Sequence, residues 1–161
     1  MSQNTLLSSS FSEICENKNH DFPLNLAFAC SMAIAYFNGS NLKIYDLQQV
    51  SSLANFFVIG DFTSNKQLES CAQETLSLLK IQKQKYQILS AEGLKENSDW
   101  ILIDLGDFII HLFLENARSF YDIDSLWQQC PSISIPQEYY QFSPQEKLTQ
   151  ISDSEEEKSY F

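Results

Sequence analysis

Positive charge is what this chain has least of. Arginine occurs once, at Arg118, and 10 Lys+Arg stand against 21 Asp+Glu, a formal net charge of −11 over 161 residues. Proteins that grip RNA or DNA displace counterions with clustered Lys and Arg. Extended direct contact with nucleic acid is therefore disfavoured, and a basic protein partner suits the surface better. Histidine and cysteine are also sparse. His20 and His111 lie far apart, and Cys15, Cys30, Cys71 and Cys130 include no pair at the close spacing of a zinc site, so no metal centre and no cofactor is indicated. No basic n-region precedes an apolar stretch at the N-terminus, and no arginine-rich import segment is present. The expectation is a cytoplasmic protein with reduced, buried thiols. Long apolar runs are missing too: LNLAFACSMAIAYF (residues 24–37) is too short to span a bilayer and reads as a core helix. What remains is 43% hydrophobic and 13% aromatic residues, a folding composition at a length suited to one domain.

Along the chain, residues 1–22 are rich in Ser, Asn and Glu and read as a flexible arm. Residues 23–129 carry the periodic elements, and 130–161, with three prolines and the acidic run DSEEEK, read as an irregular, solvated tail. Pro23 suits the first turn of a helix that Asn38-Gly39 ends. NLKIYDL (41–47) alternates like a strand, and LANFFVIG (53–60) is continuous enough for a buried central one. Ser64 with Gln67 resembles a capping box, and Leu68, Cys71, Ala72, Thr75, Leu76 and Leu79 follow at helical spacing. KYQILSAEG (85–93) reads as a third strand, DWILIDLGDFIIHLF (99–113) as two more, and ENARSFYDIDSLW (115–127) as a short helix with an irregular exit. The order predicts an α/β fold with a mixed sheet of about five strands and helices packed on it.

The chemistry is concentrated in DWILIDLGDFIIHLF. If Gly106-Asp107 is a two-residue turn of the Gly-first kind, Leu105 pairs with Phe108, Ile103 with Ile110 and Ile101 with Leu112. Those six apolar side chains share one face. The other face carries Trp100, Leu102, Asp104, Ile109, His111 and Phe113, with Leu102 opposite His111 and Asp104 and Trp100 on its diagonals. A histidine beside a carboxylate is a candidate general base, but no Ser or Cys nucleophile is placed near it. A hydrogen-bonded imidazole on a half-covered sheet and an aromatic recognition face are the competing readings.

A second pattern, Gly39-Ser40 followed by Asp122 and Asp124, resembles the Mg²⁺-holding arrangement of nucleotidyltransferases. The acidic pair lies some eighty residues on, at a helix end, with no further Gly-rich cradle for phosphate, and solvated carboxylates explain it more simply. Lys80, Lys83 and Lys85 form the one basic cluster, placed where lysines favour a helix C-terminus.

Three stretches in order resemble one family. YDLQQVSSLANFFVIG is similar to an Asp-ending strand, a Ser-Ser loop and Ala-Asp-Tyr-Phe-Val-Ile. DWILIDLGDFIIHLF matches Asp-Trp, three apolar residues, Asp-x-Gly-Asp, three apolar residues and His. ENARSFYDIDSLW is similar to Glu-Ala-Arg-x-Phe-Tyr-x-Leu-Glu-x-Leu-Trp. The family is that of the ribosomal silencing factors, or Iojap proteins, and the resemblance covers roughly residues 24–127.

It implies a nucleotidyltransferase-like α/β fold without that enzyme's metal site, and a non-enzymatic role. The implied role is binding to the large ribosomal subunit through ribosomal protein L-fourteen, so that the small subunit cannot join and translation is repressed. The interface positions it implies are Trp100, Leu105 and His111, with Asp104, Asp107 and Tyr121 in support. Leu105, on the opposite face from Trp100, would reach the partner over the hairpin's end. A monomer or weak homodimer with little nucleic-acid contact is the matching expectation, and a nucleotide-binding enzyme is the alternative. The chain departs from the family pattern at Gln49, at Asn55, and at Asp61-Phe62 before Thr63-Ser64-Asn65. All of these lie outside the hairpin motif.

Overall fold

Alternation and turn chemistry in the second half of the chain build a hairpin, and the rest of the molecule assembles around it. The computed structural model describes residues 5–82, 87–95 and 97–140. In chain order the elements are α1 (Thr5–Cys15), α2 (Leu24–Tyr36), β1 (Ser40–Asp46), β2 (Phe56–Phe62), α3 (Asn65–Ile81), β3 (Ser90–Glu92), β4 (Trp100–Asp104), β5 (Phe108–Leu114), α4 (Glu115–Tyr121) and α5 (Ile123–Leu126). The strands form one mixed sheet in the order β1-β2-β5-β4-β3; β2 and β5 run parallel and the other neighbours antiparallel.

The parallel pair lies inside the sheet, where both faces are covered, and β2 is buried along its whole length, as a continuous apolar run requires. The larger core lies on one face, beneath α1, α2 and α3. α2 is apolar all round because it meets the sheet on one side and α1 and α3 on others. Gly60 of β2 allows this close approach: a Cβ there would stand 2.6 Å from the Ile34 side chain of α2. The smaller core on the other face gathers Tyr45, Phe57, Ile59, Ile109 and Phe113 under α4, α5 and the segment that follows.

Several expectations hold in detail. Ser64 caps α3 by accepting from the Gln67 N–H at 3.2 Å. Asn38, at φ 62°, provides the left-handed exit from α2. All four cysteines are buried, and burial raises the Cys71 thiol to about 12. Among the described residues no helix is long and apolar enough to cross a membrane.

Two expectations are corrected. The N-terminal segment contains a helix: Leu7, Phe11 and Ile14 of α1 recur at i, i+4 and i+7 and are buried against α2. The serines between them are poor helix formers in isolation, and tertiary packing overrides that preference. Residues 130–140 are not a free tail. Asp46 N–H donates to Pro131 O and Ile133 N–H to Ile44 O, both at 2.8 Å, so this segment lies along the outer edge of β1 and satisfies groups that an edge strand otherwise exposes. Tyr139 then packs on Phe28 of α2. The acidic run and residues 83–86, which include Lys83 and Lys85, lie outside the described residues. The third strand is shorter than expected, with β3 limited to Ser90–Glu92.

Candidate functional site

The hairpin forms in the expected register, Ile101 against Leu112, Leu102 against His111 and Ile103 against Ile110. Gly106 takes φ 82°, a conformation that side chains resist, and Leu105 N–H closes the turn on Phe108 O at 3.0 Å. Asp104 and Asp107 support that turn. Asp104 Oδ1 accepts the Gly106 N–H at 2.8 Å, and the Asp107 carbonyl accepts the Asn55 N–H at 2.7 Å, fixing the loop before β2 to the hairpin tip.

Strand alternation then separates the site residues. Leu105 joins the larger core at the turn, 8% exposed, on the face opposite Trp100 and His111. The other face has an aromatic stack. Trp100 is half-buried, lies on Phe113 at 5.0 Å between centroids, and meets Tyr121 of α4 at 4.9 Å. Tyr121 is 47% exposed, and its neighbour Phe120 is 81% exposed.

His111 lies beneath this stack. It is 3% exposed, with Phe57 edge-on at 4.6 Å, and its Nδ1 accepts from Trp100 Nε1 at 3.2 Å. Desolvation lowers its pKa to about 4. His111 is therefore a neutral, buried acceptor that orients the indole. It makes no hydrogen bond to Asp104, whose carboxylate serves the turn, so the His-carboxylate dyad does not form.

The acidic pair has a different arrangement from the one a metal site needs. Arg118 donates through Nε to Asp124 Oδ2 at 2.9 Å, through one terminal nitrogen to Asp124 Oδ1 at 3.1 Å, and through the other to Asp61 Oδ2 at 3.1 Å and to the Asn41 carbonyl. Tyr45 Oη also donates to Asp124 Oδ1, at 2.6 Å. The guanidinium holds the Asp124 carboxyl below the usual range, and Asp122 Oδ1 accepts from Ser125. Among the described residues no group of three or more His, Cys, Asp or Glu is disposed to hold a metal ion.

Sequence reasoning missed the lone arginine as the centre of this network. Arg118 is 7% exposed and ties α4 to α5, β1 and β2. The available signal was its position between two apolar residues of a predicted helix, Ala117 and the later Ile123, with Asp124 six residues on.

The segment that carries the hairpin and the Arg118 network matches, over residues 22–160, the family model described as ribosomal silencing factor during starvation. The chain belongs to this family. A ribosomal silencing factor of Halalkalibacterium halodurans is 33% identical over 90 residues, which cover 56% of this chain and 74% of that protein. The mouse protein named mitochondrial assembly of ribosomal large subunit protein 1 is 28% identical over 93 residues, 56% of this chain and 40% of its own length. A crystal structure of a Chromobacterium violaceum protein superposes with a TM-score of 0.53 at 28% identity, over 66% of this chain and 91% of that one. Membership places this chain among ribosome-associated regulators of translation, a regulatory rather than an enzymatic family.

Proposed function

We propose that this chain binds the large ribosomal subunit through ribosomal protein L-fourteen and represses translation sterically, by occupying the surface on which the small subunit would dock. The observation that carries the reading is the half-exposed Trp100–Tyr121 stack, which belongs to two of the three family motifs and rests on a neutral His111. Aromatic side chains already held in place are efficient interface anchors, because little rotamer freedom is left to lose on binding. A net charge of −11 fits a basic ribosomal protein and disfavours ribosomal RNA, which keeps direct nucleic-acid contact small and lets charge steer the encounter.

In this reading Trp100 and Tyr121 touch the partner, Asp104 and Asp107 fix the hairpin tip beside it, and His111 and Leu105 hold the two faces of the hairpin from within. The protein works in the cytoplasm as a monomer or weak homodimer. Co-sedimentation with isolated subunits tests the assignment: the chain should pellet with large subunits and not with small ones. Tyr121→Ala, which removes an exposed ring, should weaken binding by roughly tenfold or more. Sedimentation with small subunits alone would overturn the reading.

A further inference from the structure

β2 and β5 are parallel neighbours, and the helices that follow them lie on opposite faces of the sheet: α3 joins the larger core and α4 the smaller one. The carboxyl ends of this pair therefore form a topological switch point, the place where open α/β sheets leave a ligand crevice. A crevice is present there. An open cleft of about 630 Å³ lies between β1, β2 and α4, with Asn41, Lys43 and Asp61 contributed by the strands and Glu115, Ser119 and Asp122 by α4 and its exit. That volume is in the range of small-molecule sites.

Asp61 is the decisive residue. It is 2% exposed, and its Oδ2 accepts from Asn41 Nδ2 at 3.0 Å and from Arg118 at 3.1 Å. Its Oδ1 is buried with no hydrogen-bond partner among the described residues. A carboxylate oxygen in that state has lost its hydration without a compensating bond, so the cleft lacks a donor. The Arg118 guanidinium is already engaged by Asp61 Oδ2, Asp124 and the Asn41 carbonyl. Glu115 and Asp122 add two exposed carboxylates at the rim. With Asp61 and Asp124, four carboxylates line the cleft against two cations, Arg118 and Lys43, an excess that disfavours a phosphate or any other anion. Nor are the acidic groups disposed as ligands to a metal ion, among the described residues. The complementary ligand carries positive charge and N–H donors.

We propose that this cleft binds a small aliphatic diamine or polyamine, with one ammonium donating to Asp61 Oδ1 and the next lying between Glu115 and Asp122. An ammonium offers three donors and no acceptor, which matches a lining short of donors. Neither Trp100 nor Tyr121 lines the cleft, so this inference stands or falls independently of the function proposed above.

Isothermal titration of the full chain with putrescine and spermidine tests it, with Mg²⁺ and N-acetyl-lysine amide alongside. Both amines should bind saturably at one site and shift the amide resonances of Asn41, Asp61 and residues 115–122. The lysine amide, with a single ammonium on a protein-like stem, should bind more weakly than either. Ser119→Lys, at an exposed position of α4, supplies an ammonium from the chain itself and should abolish binding. Glu115→Gln/Asp122→Asn should weaken it by roughly tenfold; asparagine tolerates the left-handed backbone at position 122. Resonance shifts on the unmodified chain are free of folding effects. Shifts that spread over the acidic surface without saturating, equal shifts with Mg²⁺ at matched ionic strength, tighter binding of the lysine amide, or undiminished binding by both variants would overturn the inference.

Discussion

Burial governs His111 more than any charged neighbour does. With its pKa lowered to about 4 from an ordinary 6.5, the imidazole is neutral in the folded protein at pH 7, and the unfolded chain takes up the proton more readily. A base whose folded pKa is depressed contributes a penalty that is absent above about pH 6.5, grows as pH falls, and levels off below about 4, where it reaches roughly 3 kcal/mol. His111→Phe should therefore be less dependent on pH than the unmodified chain across that window. Urea midpoints measured from pH 7 to pH 4 check it, and parallel curves for the two proteins would contradict it. Strand alternation placed His111 opposite Leu102 correctly, but a sequence gives no measure of how deeply a residue on a shared face is covered. The cover comes from Phe57, Trp100 and Phe113 on three different strands. Arg118 was harder to read for the same reason: Asp61 and Asn41, which it binds, lie 57 and 77 residues away.

At the scale of elements, local signals were the reliable ones. The Gly106 turn, the Ser64 cap and the hairpin register each depend on residues a few positions apart, and each forms as its chemistry requires. The N-terminal helix and the segment along β1 depend on distant contacts. α1 exists because Leu7, Phe11 and Ile14 find α2, and 130–140 is ordered because the outer edge of β1 offers unpaired backbone groups. Serine-rich and proline-rich compositions conceal both. Since α1 is part of the core, Phe11→Ala, which empties a fully buried site, should destabilise the fold by about 3–5 kcal/mol. Chemical denaturation checks this, and a change below about 1 kcal/mol would mean that α1 is an ornament rather than a layer of the core.

For the whole molecule, the sheet divides the labour. One face is closed by α1, α2 and α3 around the larger core; the other is covered only in part, by α4 and α5, and leaves Trp100 and Tyr121 accessible. A body of this kind with a net charge of −11 can act by position alone, since excluding a second large particle from a surface requires occupancy and no chemistry. In the proposed function, occupancy of the large subunit blocks joining. Light scattering of isolated large and small subunits, mixed after the large subunits are saturated with this chain, measures it directly. Joining should be slowed or abolished in proportion to occupancy and restored by Tyr121→Ala at equal protein concentration. Joining at the unhindered rate on large subunits shown to carry the bound chain would contradict it.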